Sequence, residues 1–185
     1  MATSHVIRPF PPEIDREAFG HWLSGFADGE ACFFLNRRRT QREAHHAHTL
    51  GARFIINIRA DDEPVLRLIQ SYWQCGNVGS QRGTRPDQTR YTRLQVYSWP
   101  EMAGVVVPHF DAFPLRAKKA RDFLIWREAV LLGHRVWQRP WHFRKSDGYR
   151  RGHGAFAKWQ PDERATFEGL IATLAAGRQF SSPNS

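Results

Sequence analysis

Apolar residues near the start of the chain recur with two different periods, and the change between them marks a helix running into a strand. Phe19, Trp22, Leu23 and Phe26 stand at i, i+3, i+4 and i+7, the spacing of one helical face, and Asp15 is placed to cap that helix. Gly25 and Gly29 lie on another side, four residues apart, and the helix should stop around Asp28-Gly29 because glycine is the usual residue past a helix end. From Ala31 the period falls to two. Ala31 to Leu35 is β-prone and runs into Asn36-Arg37-Arg38-Arg39. A second strand, Ala52 to Ile58, sets Phe54, Ile56 and Ile58 on one face and Arg53, Ile55 and Asn57 on the other. Asp61-Asp62-Glu63-Pro64 opens another helix with Val65, Leu66, Ile69 and Trp73 as its apolar positions and Gly76 as its end. Strands over 78–82 and 91–97 follow. Helices are then expected from Glu101 to about Phe110, Lys118 to about Gly133 and Asp162 to about Ala176, the last with Phe167, Leu170, Ile171 and Leu174 at helical spacing. The order is α-β-β-α-β-β-α-α-α, with no second copy of the first pattern.

Composition narrows the class. With 185 residues, 41% hydrophobic, the chain can bury one good core, so 15–180 reads as one domain between an extended, proline-rich leader (1–14) and a disordered tail (181–185). Charge changes the picture more. Lys and Arg number 27 against 18 acids, a net +9, which implies an anionic partner, with nucleic acid ahead of a membrane surface. No apolar run is long enough to cross a bilayer and the N-terminus lacks a signal-peptide pattern, so a cytoplasmic protein is expected. Cys32 and Cys75 fall in no Cys/His pattern and read as small buried residues. The basic stretch 139–158 reads as a connector, with Trp137 and Trp141 as possible anchors.

The segment Leu23-Ser24-Gly25-Phe26-Ala27-Asp28-Gly29-Glu30-Ala31 resembles the signature of the LAGLIDADG homing endonuclease family, in its single-motif, homodimeric form. The likeness extends to the Phe-x-Ile-x-Ile-x-x-Asp-Asp segment at 54–62 and to Phe113-Pro114-Leu115-Arg116-x-Lys118-Lys119, over roughly residues 15–130. It implies an α+β fold: an αββαββα domain with a four-stranded antiparallel, saddle-shaped sheet, helices on one face, and extra helices at the C-terminus. It implies a homodimer packed through Ser24, Gly25 and Gly29, since small residues four apart let two helices approach backbone to backbone. It implies site-specific, metal-dependent hydrolysis of phosphodiester bonds in a long, nearly palindromic DNA duplex. Glu30 takes the position of the catalytic acid and direct Mg²⁺ ligand, assisted by the Gly29 carbonyl; Mn²⁺ or Ca²⁺ would substitute in binding, and no small-molecule cofactor is needed. Asp28 is assigned to capping backbone amides. The basic residue beside the reacting water is Arg116 or Lys118. Two positions depart from the family pattern: Ala31 replaces the motif's final glycine, and Ala60 falls where a glutamine is usual. A catalytically silent relative, an intron maturase or a transcription regulator on the same fold, is the alternative reading.

Such a sheet can lie along the major groove and read base edges with every second residue. Continuing the alternation selects Phe34, Asn36 and Arg38, then Arg53, Ile55 and Asn57, then Arg82, and then Arg93, Gln95 and Tyr97. Arg37, Arg39 and Arg42 suit phosphate contacts. His45, His46 and His48 fall at an expected hairpin tip with no cysteine nearby, and read as an exposed loop rather than metal ligands.

Overall fold

The computed structural model describes residues 7–39, 48–81, 91–140 and 159–178. The chain divides into two compact units: the residues up to Phe34 with Arg53–Ala120, and Leu35–Ala52 with the residues from Arg121 onward. Elements follow the expected order. α1 (Arg16–Glu30) leads into β1 (Ala31–Arg39), β2 (His48–Arg59), a 3₁₀ turn (Ala60–Asp62), α2 (Glu63–Trp73), β3 (Asn77–Gln81) and β4 (Tyr91–Val96). A helix from Trp99 to Ala112, here α3, is followed by α4 (Lys119–Gln138) and α5 (Pro161–Ala176).

Asp15 caps α1 as expected, its carboxylate accepting from Ala18 N at 2.7 Å. The buried side of the helix is not the one its large side chains mark. Phe19, Gly20, Leu23, Ser24 and Ala27 are buried, whereas Trp22 is 44% exposed and stacks on half-buried Phe26 with centroids 5.1 Å apart. The reason is a close approach: a Cβ at Gly20 would lie 2.6 Å from Cε2 and Cζ of Phe113, so only glycine admits that ring. Gly20→Ala is therefore expected to lower unfolding stability by about 1–3 kcal/mol. A urea melt unchanged from wild type would mean that the ring shifts freely.

The sheet runs β1-β2-β4-β3, and the two pairs whose register is defined, β2 with β4 and β3 with β4, are antiparallel. Its inner face is apolar. Phe33, Phe54, Ile56, Leu94 and Val96 are fully buried, and Phe54 meets the rings of Trp73 on α2 and Phe110 on α3 at 5.2 and 5.7 Å. Ile58, expected on this face, is half-buried at its margin, and so is Cys32, expected to be buried. Cys75 is buried, and desolvation raises its thiol to about 12.

α2 ends differently from expectation. Its left-handed cap is Gln74 (φ 54°), two residues before Gly76, which also has positive φ (82°). Gln74 Nε2 offsets the strain by donating to Arg8 O at 3.0 Å, and Gln70 Nε2 donates to Gly76 O at 2.8 Å. α3 widens into a π turn over Met102–Val106. Pro108 explains the widening, because in a regular α-helix its ring would meet the carbonyl of Gly104.

In the second unit, α4 buries Phe123, Trp126, Ala129, Val130, Leu132 and Val136. α5 buries Phe167 and Leu174, while Leu170 and Ile171 are half-buried. Glu163 serves twice there, capping its own helix through Gln160 N and taking the Arg139 guanidinium fork, which holds its carboxyl below the usual range. Trp137 is half exposed and stacks on His134. Arg42, His45, His46, Arg82, Trp141, most of the basic connector and the C-terminal tail lie outside the described residues.

Candidate functional site

The end of α1 carries a group of polar contacts that ties it to a segment 90 residues later. Residue 31, at the helix exit, has φ −79°, an extended conformation that alanine adopts without strain, so the missing glycine has no steric consequence for the backbone. The chain therefore passes from helix to strand without a turn, and Glu30 stands exposed at the junction.

Asp28 faces the segment that begins α4. One carboxylate oxygen, Oδ2, accepts from Arg116 N at 2.7 Å and Ala117 N at 3.1 Å. These amides belong to the turn opening α4, where a negative charge is favourable, so Asp28 caps another helix's start rather than its own helix's end. Its second oxygen, Oδ1, is buried and has no hydrogen-bond partner among the described residues. In the opposite direction, Lys119 Nζ donates to Gly29 O at 2.5 Å and to Ala27 O at 3.3 Å. Ala27 O also receives Ala31 N. The two segments thus exchange an anion for amides and an ammonium for carbonyls.

The cation on the Gly29 carbonyl is one residue beyond the two that sequence reading favoured. Arg116 contributes its backbone amide here and has an exposed side chain; Lys118 is exposed. What selects Lys119 is the start of α4 at that residue, and no periodicity in the flanking Arg/Lys-rich stretch gives this start point away. Position 60 opens the 3₁₀ turn beside an exposed Arg59–Asp61 pair at 2.7 Å, in which the guanidinium lowers the Asp61 carboxyl.

The small residues of α1 separate into two groups. Ser24 is buried within the chain, where its Oγ donates to Phe113 O at 2.6 Å and lies 3.5 Å from His109 Nε2. That placement differs from the surface position expected of a dimer contact. Gly25 and Gly29 are exposed, and a Cβ at either would meet nothing within 4 Å among the described residues. They share the outer side of α1 with Trp22.

On the sheet's outer face, Arg53, Ile55 and Asn57 of β2 alternate with the buried row, and Arg93, Gln95 and Tyr97 do so along β4 and just past its end. Register places Asn57 opposite Arg93 and Ile55 opposite Gln95. β3 contributes Asn77 opposite Gln95 and Gly79 opposite Arg93, two positions that sequence reading passed over. Val78 pairs with buried Leu94, so the outward row of β3 holds the odd-numbered residues. On β1, Phe34 is 37% exposed. Asn36, in the second unit, lies over Gly51, where a Cβ would approach its Oδ1 to 2.8 Å. Arg37 pairs with Glu168 at 3.8 Å, and nothing is described of the side chain of Arg38.

Residues 23–130 match the profile of a family described as LAGLIDADG endonuclease. Among curated proteins, the chain is 23% identical over 113 residues to a probable intron-encoded endonuclease 2 of Neurospora crassa, a match over 61% of this chain and 22% of that one. The chain therefore spans under a quarter of that relative's length. Among solved structures it resembles a homing endonuclease, I-TnaI, with TM-score 0.61 and 19% identity, covering 92% of this chain and 90% of that one. It also resembles I-SmaMI, solved bound to uncleaved DNA target in the presence of calcium ions (TM-score 0.61, 16% identity, 83% and 44% covered).

Proposed function

The chain belongs to the LAGLIDADG endonuclease family, and from that premise we propose that it is a homodimeric, divalent-metal-dependent endonuclease that cuts both strands of a long, nearly palindromic DNA site. The observation that carries this reading is the junction at the end of α1. An exposed carboxylate, Glu30, adjoins a backbone carbonyl, Gly29 O, that already accepts from a cation. Hard divalent ions take oxygen donors, and these two fit Mg²⁺ by type. No group of three or more His, Cys, Asp or Glu gathers among the described residues. A site of this kind is completed by a second Glu30 and by DNA phosphate. When bound, Mg²⁺ would polarise the scissile phosphate and lower the pKa of an attacking water.

The chain's own groups then divide the work. Glu30 and the Gly29 carbonyl would hold the ion, and Asp28 fixes the start of α4 so that Lys119 reaches the same place. With an ion on the Gly29 carbonyl, the Lys119 ammonium would be placed to face the scissile phosphate. Lys119→Ala is expected to slow cutting by about ten- to a hundredfold at saturating DNA, with little change in affinity. An unchanged rate would return the role to Arg116 or Lys118.

Homodimerisation is supported by Gly25 and Gly29. A helical glycine costs about 1 kcal/mol against alanine, and packing among the described residues requires glycine at neither position. A second α1 lying along that face, flanked by Trp22, supplies the reason for both. Gly25→Leu is expected to shift sedimentation from dimer to monomer; a wild-type monomer at working concentration contradicts the reading. For catalysis, the decisive experiment is incubation with supercoiled plasmid carrying the joined DNA flanks of the gene's own element. Linear product that requires Mg²⁺ is expected. Binding without cutting would leave a DNA-binding protein only.

A further inference from the structure

Among the described residues, the outer face of the sheet contains a side-chain pair that is organised before any ligand arrives. Arg93 Nε donates to Asn57 Oδ1 at 2.7 Å, across the register that sets these residues opposite each other. The Arg93 guanidinium also lies 5.7 Å from the centre of the Tyr91 ring, two residues back on the same face of β4. On its other flank the register partner is Gly79, where a Cβ would find nothing within 4 Å among the described residues. Arg93 is thus gripped from β2, backed from its own strand and left with open room beside β3.

We propose that Arg93 and Asn57 form one guanine-reading unit, in which Arg93 touches the base and Asn57 is a positioning residue. The inference rests on the DNA-binding reading above and deepens it. With Nε engaged, the two terminal nitrogens of the guanidinium remain as a parallel pair of donors. Guanine is the base that offers two adjacent acceptors, O6 and N7, in the major groove. The same bond changes what Asn57 can do. An asparagine reads adenine by accepting through Oδ1 while donating through Nδ2. Here one lone pair of Oδ1 is already taken by a guanidinium, which competes with its use on adenine. Asn57 taken alone is an adenine reader; paired with Arg93 it is a support. A guanidinium already held in place loses less rotamer freedom on binding, which sharpens discrimination.

The test is selection of binding sites from random duplex DNA, in Ca²⁺ to hold the protein on uncut DNA, with wild type, Arg93→Gln and Asn57→Ala. Both side chains are on the surface, so both variants should fold. Wild type is expected to enrich guanine at one column of its site. Arg93→Gln abolishes that preference, and Asn57→Ala weakens it at the same column by about tenfold, leaving other columns intact. Three outcomes overturn the proposal. In one, Asn57→Ala alters a different column from Arg93→Gln, so that Asn57 reads its own base. In another, the column lost with Arg93 is not guanine. In the third, both variants weaken binding uniformly across sequences, the signature of phosphate contact. If wild type enriches no common sequence, the DNA-reading assignment itself fails, which is a separate result.

Discussion

Glu30→Gln is expected to lower plasmid cleavage by about a thousandfold or more while leaving DNA affinity within a few-fold of wild type. Glutamine keeps the size of the side chain and an oxygen but removes the charge that would hold a divalent cation. The fold should not register the change, because Glu30 is exposed and has no ion-pair partner among the described residues. The measurement needs both halves: initial cutting rates at saturating enzyme, and gel-shift titration in Ca²⁺. In a two-fold dimer both sites lose the acid together, so nicking should fall along with double-strand cutting. Retained cutting by Glu30→Gln would remove this residue from the chemistry and require another carboxylate to take its place.

Stability should fall as the solution is acidified from pH 7 toward 4, and His109 should account for most of the loss over that range. The ring is buried among Tyr72, Trp73, Phe110 and Phe113, and desolvation pushes its pKa from 6.5 down to about 4. In the unfolded chain the same histidine takes up a proton near pH 6.5. Below that pH the unfolded state binds a proton that the folded state refuses. The stabilisation is therefore complete above the unfolded value and is lost as pH falls toward the folded one. A shift of this size corresponds to about 3 kcal/mol, with roughly 2 kcal/mol of it gone by pH 5. His109→Phe gives the control. Ser24 keeps its bond to the Phe113 carbonyl, no buried donor is orphaned, and urea midpoints should become nearly flat between pH 7 and 5. A wild-type midpoint that does not move over this range would show the ring to be protonated without penalty.

Sequence by itself determined the elements and the faces of the sheet. An acid able to cap at residue 15, the change of period at Ala31 and the alternation through Phe54, Ile56, Leu94 and Val96 are local signals. Each is complete within one turn or one strand, and the structure places these elements as read. The place of Glu30 where helix gives way to strand followed from the same stretch. Even the buried side of that helix, however, was misjudged: large apolar residues at helical spacing pointed to Trp22 and Phe26, whereas the packed side runs through Gly20 and Ser24.

What only the tertiary structure decided concerns pairs of residues far apart in the chain. Gly20 is held to glycine by a ring 93 positions later, while Gly25 and Gly29, identical in type, face open space among the described residues. Lys119 reaches the Gly29 carbonyl, 90 residues away, because Asp28 holds the two amides before α4. Asn57 meets Arg93 only because the antiparallel register sets them opposite. Periodicity reports which side of an element is apolar, since burial along a helix or strand repeats with its own geometry. Close approach and register depend on how separate elements are packed, and no pattern within one element contains that information. The chain put the end of α1 around Asp28-Gly29, but the helix runs on through Gly29 to Glu30 and Ala31 leaves it extended; the lysine that meets it there became visible only in three dimensions.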